Sequence, residues 1–208
     1  MRDEARALFR SALLDAAERE FAERGFHGAR IQDIARRARV GVGTVYNHFT
    51  RKEDMLLELV RQRMSEASRA FGPREGDPAD FEGRFRARFG RMHAYLAAHE
   101  AFFRVACDFS FFDGDAAAAA AILREPFAES DVHAELARQT RELIAEGIAE
   151  GALEPGDPIE LERFLTGAMR VLASMALREG GDTGRAFDLT LTLFLRATRR
   201  SAPERREP

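Results

Sequence analysis

Apolar residues recur every three or four positions along most of the chain, which is the spacing of one face of an α-helix. The first such face consists of Phe9, Leu13, Ala16, Ala17 and Phe21. It stops before Gly25, a residue suited to the left-handed backbone that follows a helix end. Residues 31–38 then predict a short second helix, and residues 44–49 predict a third helix of barely two turns. The amino-terminal sequence therefore predicts helix, brief turn and helix in succession.

The rest of the chain predicts longer helices that glycine and proline residues separate. The fourth helix starts at Lys52 and ends near Gly72 and Pro73. Further helices are predicted over residues 81–92, 132–148, 159–178 and 184–199. An alanine run at 116–121 also favours helix. Residues 188–195 alternate like a strand, but the chain offers no second strand to pair with, so we predict helix there as well.

The fold class is therefore all-α, with two predicted domains. Residues 1–52 form an amino-terminal helix-turn-helix domain of three helices. Residues 53–208 form a larger helical domain, and the helix over 53–70 connects the two. The helix-breaking glycine and proline residues at 72–78 follow this helix directly, so we expect the larger helical domain to be organised separately after its end.

Composition narrows the class of protein. The chain has 208 residues and is 45% apolar, which excludes disorder throughout. Its longest apolar run is too short for a membrane helix and its first residues form no signal peptide, so we expect a cytoplasmic protein. The single cysteine, Cys107, cannot form an internal disulfide. The histidines lack metal-site spacing, and no phosphate-binding loop or serine nucleophile motif occurs. We therefore expect no enzyme activity, metal or cofactor.

Basic residues concentrate in one window, although the whole chain has a formal net charge of −3. Residues 24–52 hold seven basic side chains against Asp33 alone, and they include Lys52, the single lysine of the sequence. Such a cluster is commonly a solvated helix face, and polyanion binding is favoured only when a reading element accompanies it. The third predicted helix is such an element, because an α-helix fits the DNA major groove. Its outward groups come from Thr44, Tyr46, Asn47 and His48, while Val45 and Phe49 face inward.

The same segment resembles a known family. The matching pattern is Phe21-(x)3-Gly25-Phe26, Ile34-Ala35, Val40-(x)2-Gly43-Thr44-Val45-Tyr46-(x)2-Phe49 and Lys52-Glu53-(x)-Met55-Leu56. Over about residues 6–60 it is similar to the DNA-binding domain of the TetR family of bacterial transcriptional regulators. The resemblance implies base contacts from the third helix and a phosphate contact from Lys52. The predicted DNA-binding residues are Arg30, Gly43, Thr44, Tyr46, Asn47, His48 and Lys52.

Three positions depart from the family pattern. The family commonly has Ser or Thr as the amino-terminal cap of the second and third helices, where this chain has Arg30 and Gly41. The loss of a side-chain cap costs about 1 kcal/mol, and less when glycine replaces it. Arg39 stands where the family commonly has glycine at the helix end, so we expect a strained left-handed residue that costs roughly 1 kcal/mol.

Phenylalanine is concentrated in the second predicted domain. Aromatic residues at helical spacing more often form a core than line a pocket, and the sequence alone leaves both possibilities open. The family resemblance favours an apolar pocket for an effector. The predicted ligand-binding residues are Phe85, Phe89, Met92, His93, Phe102, Phe103, Arg104, Cys107, Phe109, Phe112 and His133. Tyr95 and Asp108 are further candidate anchors, but Arg104 and Asp108 also have the spacing of an ion pair within one helix. Histidines such as His93 and His133 are more commonly core or surface residues.

The last two predicted helices mix small and large apolar residues, which permits close helix approach within one subunit or across a two-fold axis. A dimer suits DNA binding, because two recognition helices about 34–36 Å apart fit successive major grooves. The predicted dimer interface consists of Phe164, Gly167, Ala168, Val171, Leu172, Met175, Phe187, Leu191, Phe194 and Leu195.

Together these features predict a ligand-responsive repressor. It would bind a palindromic operator in double-stranded DNA as a homodimer, and a small, largely hydrophobic effector would release it, with no membrane partner. Two alternatives stand beside this prediction. An enzyme on an all-α fold lacks a supporting motif in the sequence. A small-molecule binding module that has lost DNA binding is suggested only by the departures at Arg30, Arg39 and Gly41.

Overall fold

The computed structural model describes residues 2–103 and 131–200, and its regular structure there is helical. The helices are α1 (Arg2–Gly28), α2 (Ile31–Arg37), α3 (Val42–Tyr46), α4 (Lys52–Phe71), α5 (Phe81–Ala98), α6 (Asp131–Ala149), α7 (Pro158–Arg178) and α8 (Thr183–Thr198). The all-α prediction is confirmed, including helix over the alternating residues 188–195. An isolated antiparallel bridge joins Leu153 to Arg199. The alanine run at 116–121 lies outside the described residues.

The described residues group into two compact units. The first comprises residues 2–67 and 95–103 with the first residues of α6, and the second comprises residues 68–94 and 134–200. The domain boundary predicted at residue 52 stays a prediction.

The core of the first unit forms where α1 to α4 converge. Its apolar cluster includes Phe21, Ile34, Val45, Phe49 and Leu56, each about 1% exposed or less. The inward orientation predicted for Val45 and Phe49 is therefore confirmed. The third helix begins two residues earlier than predicted, because the Gly41 carbonyl already accepts the Thr44 N–H at 2.9 Å.

The three departures from the family pattern have the expected local structure. Arg30 and Gly41 occupy the amino-terminal caps of α2 and α3, and neither helix has a side-chain cap hydrogen bond. Arg39 has φ of 59°, and within the described ranges no other non-glycine residue has positive φ. Gly25 has φ of 68° and kinks α1 near its end. The predicted left-handed positions at 25 and 39 are thus confirmed.

A buried network of ion pairs and hydrogen bonds connects Arg63 on α4 and the backbone of Phe102 to α1. The Arg63 side chain is largely buried and donates to Glu18 through Nε at 2.9 Å and Nη2 at 2.7 Å. Asp15 and Glu66 also accept from this guanidinium, at 2.6 and 3.2 Å. The other Glu18 oxygen accepts the backbone N–H of Phe102 at 3.1 Å, and the Phe102 side chain is fully buried in the same core.

Aromatic side chains form the core of the second unit. Phe85 lies between Phe89 and Phe194, with ring centroids 4.7 and 5.5 Å away, and its ring is nearly parallel to that of Phe194. Helices α5 and α6 approach closely at Gly147, where an added Cβ would lie 2.5 Å from the Phe81 ring. Position 147 therefore admits no side chain without a shift of Phe81.

Candidate nucleic-acid interface

The short helix α3 has an apolar face and an accessible face. Val45 and the following Phe49 are buried, whereas Tyr46 is 52% exposed. Asn47 and Gly43 are also exposed, and Thr44 is half-buried. An added Cβ at Gly43 would meet nothing within 4 Å, so the space in front of this helix is open. The arrangement leaves a phenol, an amide and a bare backbone segment available to a partner.

His48 differs from the other three predicted reading residues. Its ring centroid lies 5.1 Å from that of Phe9, and the side chain is only half-buried. Nδ1 is buried and has no hydrogen-bond partner among the described residues. The structure therefore places the His48 ring against α1, at the edge of the accessible face.

Arg10 is a residue of this site that the sequence reasoning missed. Its Nη1 donates to the His48 carbonyl at 2.8 Å, and its guanidinium forms an ion pair with Glu58. The guanidinium carbon lies 4.2 Å from the centroid of the Phe49 ring. The hydrogen bond with Glu58 raises the pKa of Arg10. Arg10 thus links α1 to the end of α3 and to α4. The sequence feature that could have indicated this role is a charged residue among the apolar positions of α1.

Lys52 directs its ammonium group toward the protein backbone. Nζ donates to the carbonyl oxygens of Phe26 at 2.5 Å and Ala29 at 3.0 Å, and it lies 4.4 Å from the Phe26 ring centroid. Burial lowers the pKa of Lys52. The ammonium group therefore joins the first turn of α4 to the corner between α1 and α2. The phosphate contact predicted for Lys52 stays a prediction, and it would compete with these carbonyl oxygens.

The basic window is partly neutralised by carboxylates, several of which lie outside it. The ion pairs are Arg24 with Glu20 and Asp33, Arg36 with Asp33, Arg37 with Glu20 and Glu23, and Arg51 with Asp54. Arg30 and Arg39 are exposed and have no ion pair within the parts of the chain described. Arg30 precedes α2 and Arg39 follows it in the sequence. Their guanidinium groups are therefore the ones in this window that carboxylates of the described residues do not neutralise.

The structure divides the predicted ligand-binding residues between the two units. Phe85, Phe89 and Met92 are buried in the second unit, and the half-buried His93 contacts the Phe187 ring at 4.8 Å. Nε2 of His93 is buried and has no partner among the described residues. The first unit contains Phe102, Phe103 and the candidate anchor Tyr95, whose hydroxyl bonds Glu66. Outside the described side chains lie Arg104, Cys107, Asp108, Phe109, Phe112 and His133.

A surface groove in the second unit was not anticipated from the sequence. It has a volume of about 570 Å³ and none of the predicted ligand-binding residues lines it. Its charged lining comes from Asp80, Glu82, Arg86, Arg196, Arg199 and Arg200. Phe81, Ala152, Leu153 and Leu195 also line the groove, so it combines charged and apolar groups and differs in character from the predicted apolar pocket.

The predicted dimer residues separate by helix. On α7, Phe164, Val171 and Met175 are 62%, 37% and 50% exposed, with Gly167, Ala168 and Leu172 half-buried beside them. On α8, the predicted residues Phe187, Leu191, Phe194 and Leu195 are core residues of the single chain. They face inward because they pack on the aromatic core, and Leu189 and Leu193 are the large apolar residues that α8 exposes. The accessible stripe is therefore Phe164, Val171, Met175, Leu189 and Leu193, which we call the apolar stripe.

Comparison with known families identifies the amino-terminal segment. Residues 13–59 match the family described as bacterial regulatory proteins, tetR family. The fatty acid metabolism regulator protein of Bacillus subtilis is 39% identical over 54 residues, which are 26% of this chain and 28% of that protein. The HTH-type transcriptional repressor KstR2 of Mycobacterium tuberculosis is 44% identical over 52 residues, 25% of this chain and 26% of that protein. The matches thus span little more than a quarter of these relatives.

Solved structures show that the likeness of fold extends further. The fatty acid degradation regulator FadR from Bacillus halodurans has a TM-score of 0.74 and 22% identity, covering 91% of this chain and 99% of that one. FadR from Bacillus subtilis, in complex with stearoyl-CoA, has a TM-score of 0.73 and 19% identity, with 89% and 97% coverage. At this identity the likeness concerns the fold. Within the described residues, no helix is long and apolar enough to cross a membrane.

Proposed function

Because residues 13–59 match the family described as bacterial regulatory proteins, tetR family, we propose that this chain is a repressor that a small hydrophobic effector releases from DNA. The chain binds a palindromic operator as a homodimer. Each subunit presents one α3 to a major groove, and the two-fold symmetry of the protein matches that of the operator.

The observation that carries this proposal is the accessible face of α3. Tyr46 and Asn47 project from a helix whose opposite face is fixed by buried Val45 and Phe49. Asn offers a donor and an acceptor for a base edge, and Tyr offers a hydroxyl for a phosphate or base. The exposed guanidinium groups of Arg30 and Arg39, which no described carboxylate binds, supply the sequence-independent attraction to the phosphate backbone.

The apolar stripe supports the homodimer. Phe164, Val171 and Met175 are spaced by seven and four residues, so they line one face of α7, and Leu189 and Leu193 are one turn apart on α8. An exposed row of large apolar residues on two neighbouring helices is typical of a surface that another subunit covers. Two such helix pairs would form a four-helix interface across a two-fold axis.

The effector is an apolar molecule with an acyl chain. The interior of the second unit is dominated by phenylalanine, including Phe85, Phe89 and Phe187, and a FadR relative of the same fold was solved with stearoyl-CoA. Release from DNA requires that the effector bind more tightly to the dimer conformation whose recognition helices do not fit the operator.

The experiment is a fluorescence anisotropy titration of the full chain against labelled DNA from upstream of its own coding sequence. A shuffled duplex of equal length and composition is the control. We expect at least 10³-fold preference for the upstream duplex, and a steep loss of affinity between about 50 and 200 mM salt. Absence of binding at low salt, or equal binding to the shuffled duplex, would overturn the proposal.

A further inference from the structure

Arg88 is a buried cation in the second unit that the sequence reasoning passed over. It lies on the inner face of α5 beside Phe85 and Phe89 and is only 6% exposed. Its Nε donates to the Phe71 carbonyl at 2.9 Å, and the guanidinium carbon lies 4.7 Å from the centroid of the Phe71 ring. One carbonyl and one ring are therefore the contacts of a group that carries five N–H donors.

No carboxylate among the described residues binds this guanidinium. The acidic groups that attract it are each held by another arginine: Asp77 by Arg91, Glu146 by Arg84 and Glu142 by Arg138. The two terminal nitrogens of Arg88 make no hydrogen bond in the described ranges. Burying a charge without an ionic partner is unfavourable, because the charge loses its hydration and gains no attraction in return. Burial accordingly lowers the pKa of Arg88.

Arg91 shows what a purely structural arginine looks like at the same place. It also binds carbonyls at the end of α4, those of Ala70 at 3.1 Å and Gly72 at 2.8 Å. Unlike Arg88, it contacts a carboxylate, that of Asp77 at 2.6 Å. The carbonyls at the end of α4 and the Asp77 carboxylate together account for Arg91, whereas the single Phe71 carbonyl accounts for Arg88 only in part.

A second unsatisfied polar group lies on α6. Gln139 donates through Nε2 to the Ser68 hydroxyl at 3.2 Å, but its Oε1 is buried and has no partner among the described residues. Ser68 and Phe71 are one turn apart on α4, so Gln139 and Arg88 contact the same stretch of that helix. Arg88, which no described carboxylate binds, and the amide oxygen of Gln139 thus lie beside the same part of α4.

We propose that Arg88 binds the carboxylate of the effector, so that the ligand class is an organic acid with an apolar tail. This inference rests on the proposed effector site of the second unit. The planar guanidinium fork matches a carboxylate with two parallel hydrogen bonds, which a neutral ester or alcohol cannot accept with the same strength. The tail lies against phenylalanine side chains such as Phe85 and Phe89.

The test uses dodecanoate below its micelle-forming concentration and two analogues of equal chain length, methyl dodecanoate and dodecanoyl-CoA. Binding to the full chain is measured by calorimetry and by the shift of the melting temperature. We expect dodecanoate to bind at least tenfold more tightly than its methyl ester. R88Q should abolish this preference and R88K should keep part of it. R86Q, at an exposed position of the same helix, should leave it unchanged.

Equal affinity of the unaltered chain for dodecanoate and its methyl ester would overturn the inference. This comparison needs no variant, so the test still works if R88Q fails to fold. Tight binding of dodecanoyl-CoA together with no binding of dodecanoate would also overturn it, because the anion would then be a phosphate. If dodecanoate binds through Arg88 but the chain does not bind its upstream DNA, the repressor proposal fails and this inference stands.

Discussion

Lys52 holds its ammonium nitrogen 2.5 Å from the carbonyl oxygen of Phe26 and 4.4 Å from the centroid of the same residue's ring. One side chain of α4 thereby fixes the end of α1 through a charge-assisted hydrogen bond and a cation–π contact. The conformation of the corner before α2 depends on this pair, and α2 in turn carries α3.

The first prediction concerns Lys52→Met, which keeps the aliphatic stem and removes the charge. We expect a loss of roughly 1–2 kcal/mol in the free energy of unfolding, from the lost hydrogen bonds and cation–π contact. Operator affinity falls as well, and the slope of log affinity against log salt becomes smaller by about 1, because the predicted phosphate contact of Lys52 is lost. Urea denaturation and anisotropy at several salt concentrations measure the two effects. An unchanged slope would contradict the phosphate contact and would show that Lys52 acts only through the carbonyl oxygens that it binds.

Arg39→Gly should stabilise the chain. Its positive φ is unfavourable for a side chain with Cβ, and relief of that strain is worth about 1 kcal/mol. Arg39→Ala is the matched control, since it removes the same charge and keeps the strain. Urea denaturation of both should show a gain for the glycine variant relative to the alanine variant. Equal stability of the two would contradict the strain, and both should weaken DNA binding at low salt.

Tyr46→Ala should weaken operator binding and leave folding intact. The side chain is 52% exposed, so its removal opens no cavity, whereas the lost contact is worth roughly 1–3 kcal/mol of DNA affinity. Anisotropy against the upstream and shuffled duplexes measures the change, and thermal melting checks the fold. Leu8→Ala, at a more exposed position on α1, serves as the control. Unchanged affinity for the upstream duplex would remove Tyr46 from the interface.

Phe164→Glu and Leu193→Glu should each shift the chain from dimer to monomer in analytical ultracentrifugation. A carboxylate in the centre of an apolar interface is buried without a partner, which is strongly unfavourable. Arg163→Glu changes the charge one position away from the apolar stripe and should leave the dimer in place. If both stripe variants remain dimeric, the subunits associate through another surface.

Much of this architecture follows from local sequence. The left-handed residues at Gly25 and Arg39 were predictable because their conformation depends on neighbouring residues of one chain segment. The helical state of 188–195 was predictable from the lack of a strand partner. The orientation of α8 was not, because Phe187 to Leu195 includes apolar residues on both sides of the helix. Only the packing of Phe194 on Phe85 decides which of them face inward.

The contacts of the site that the sequence did not predict are hydrogen bonds from side chains to backbone carbonyl oxygens. Arg10 and Lys52 both bind carbonyl oxygens that are 38 and 26 residues away along the chain. Every residue has a carbonyl, so such partners leave no mark in the sequence, unlike carboxylates or aromatic rings. The spacing pattern therefore identified the exposed Tyr46 and Asn47, but it did not identify the residues that hold their helix in place.

The hydrogen bond from the Phe102 N–H to Glu18 determines how long an isolated amino-terminal fragment has to be in order to have a complete interior. A fragment that stops after α4 would lack the Phe102 ring and would leave a buried carboxylate oxygen without its donor, next to the Arg63 guanidinium. Such a fragment would contain every residue proposed to touch DNA and still have an incomplete interior. A fragment that carries the residues proposed to bind DNA and also has a complete interior is therefore expected to extend through Phe102, beyond the matched family segment.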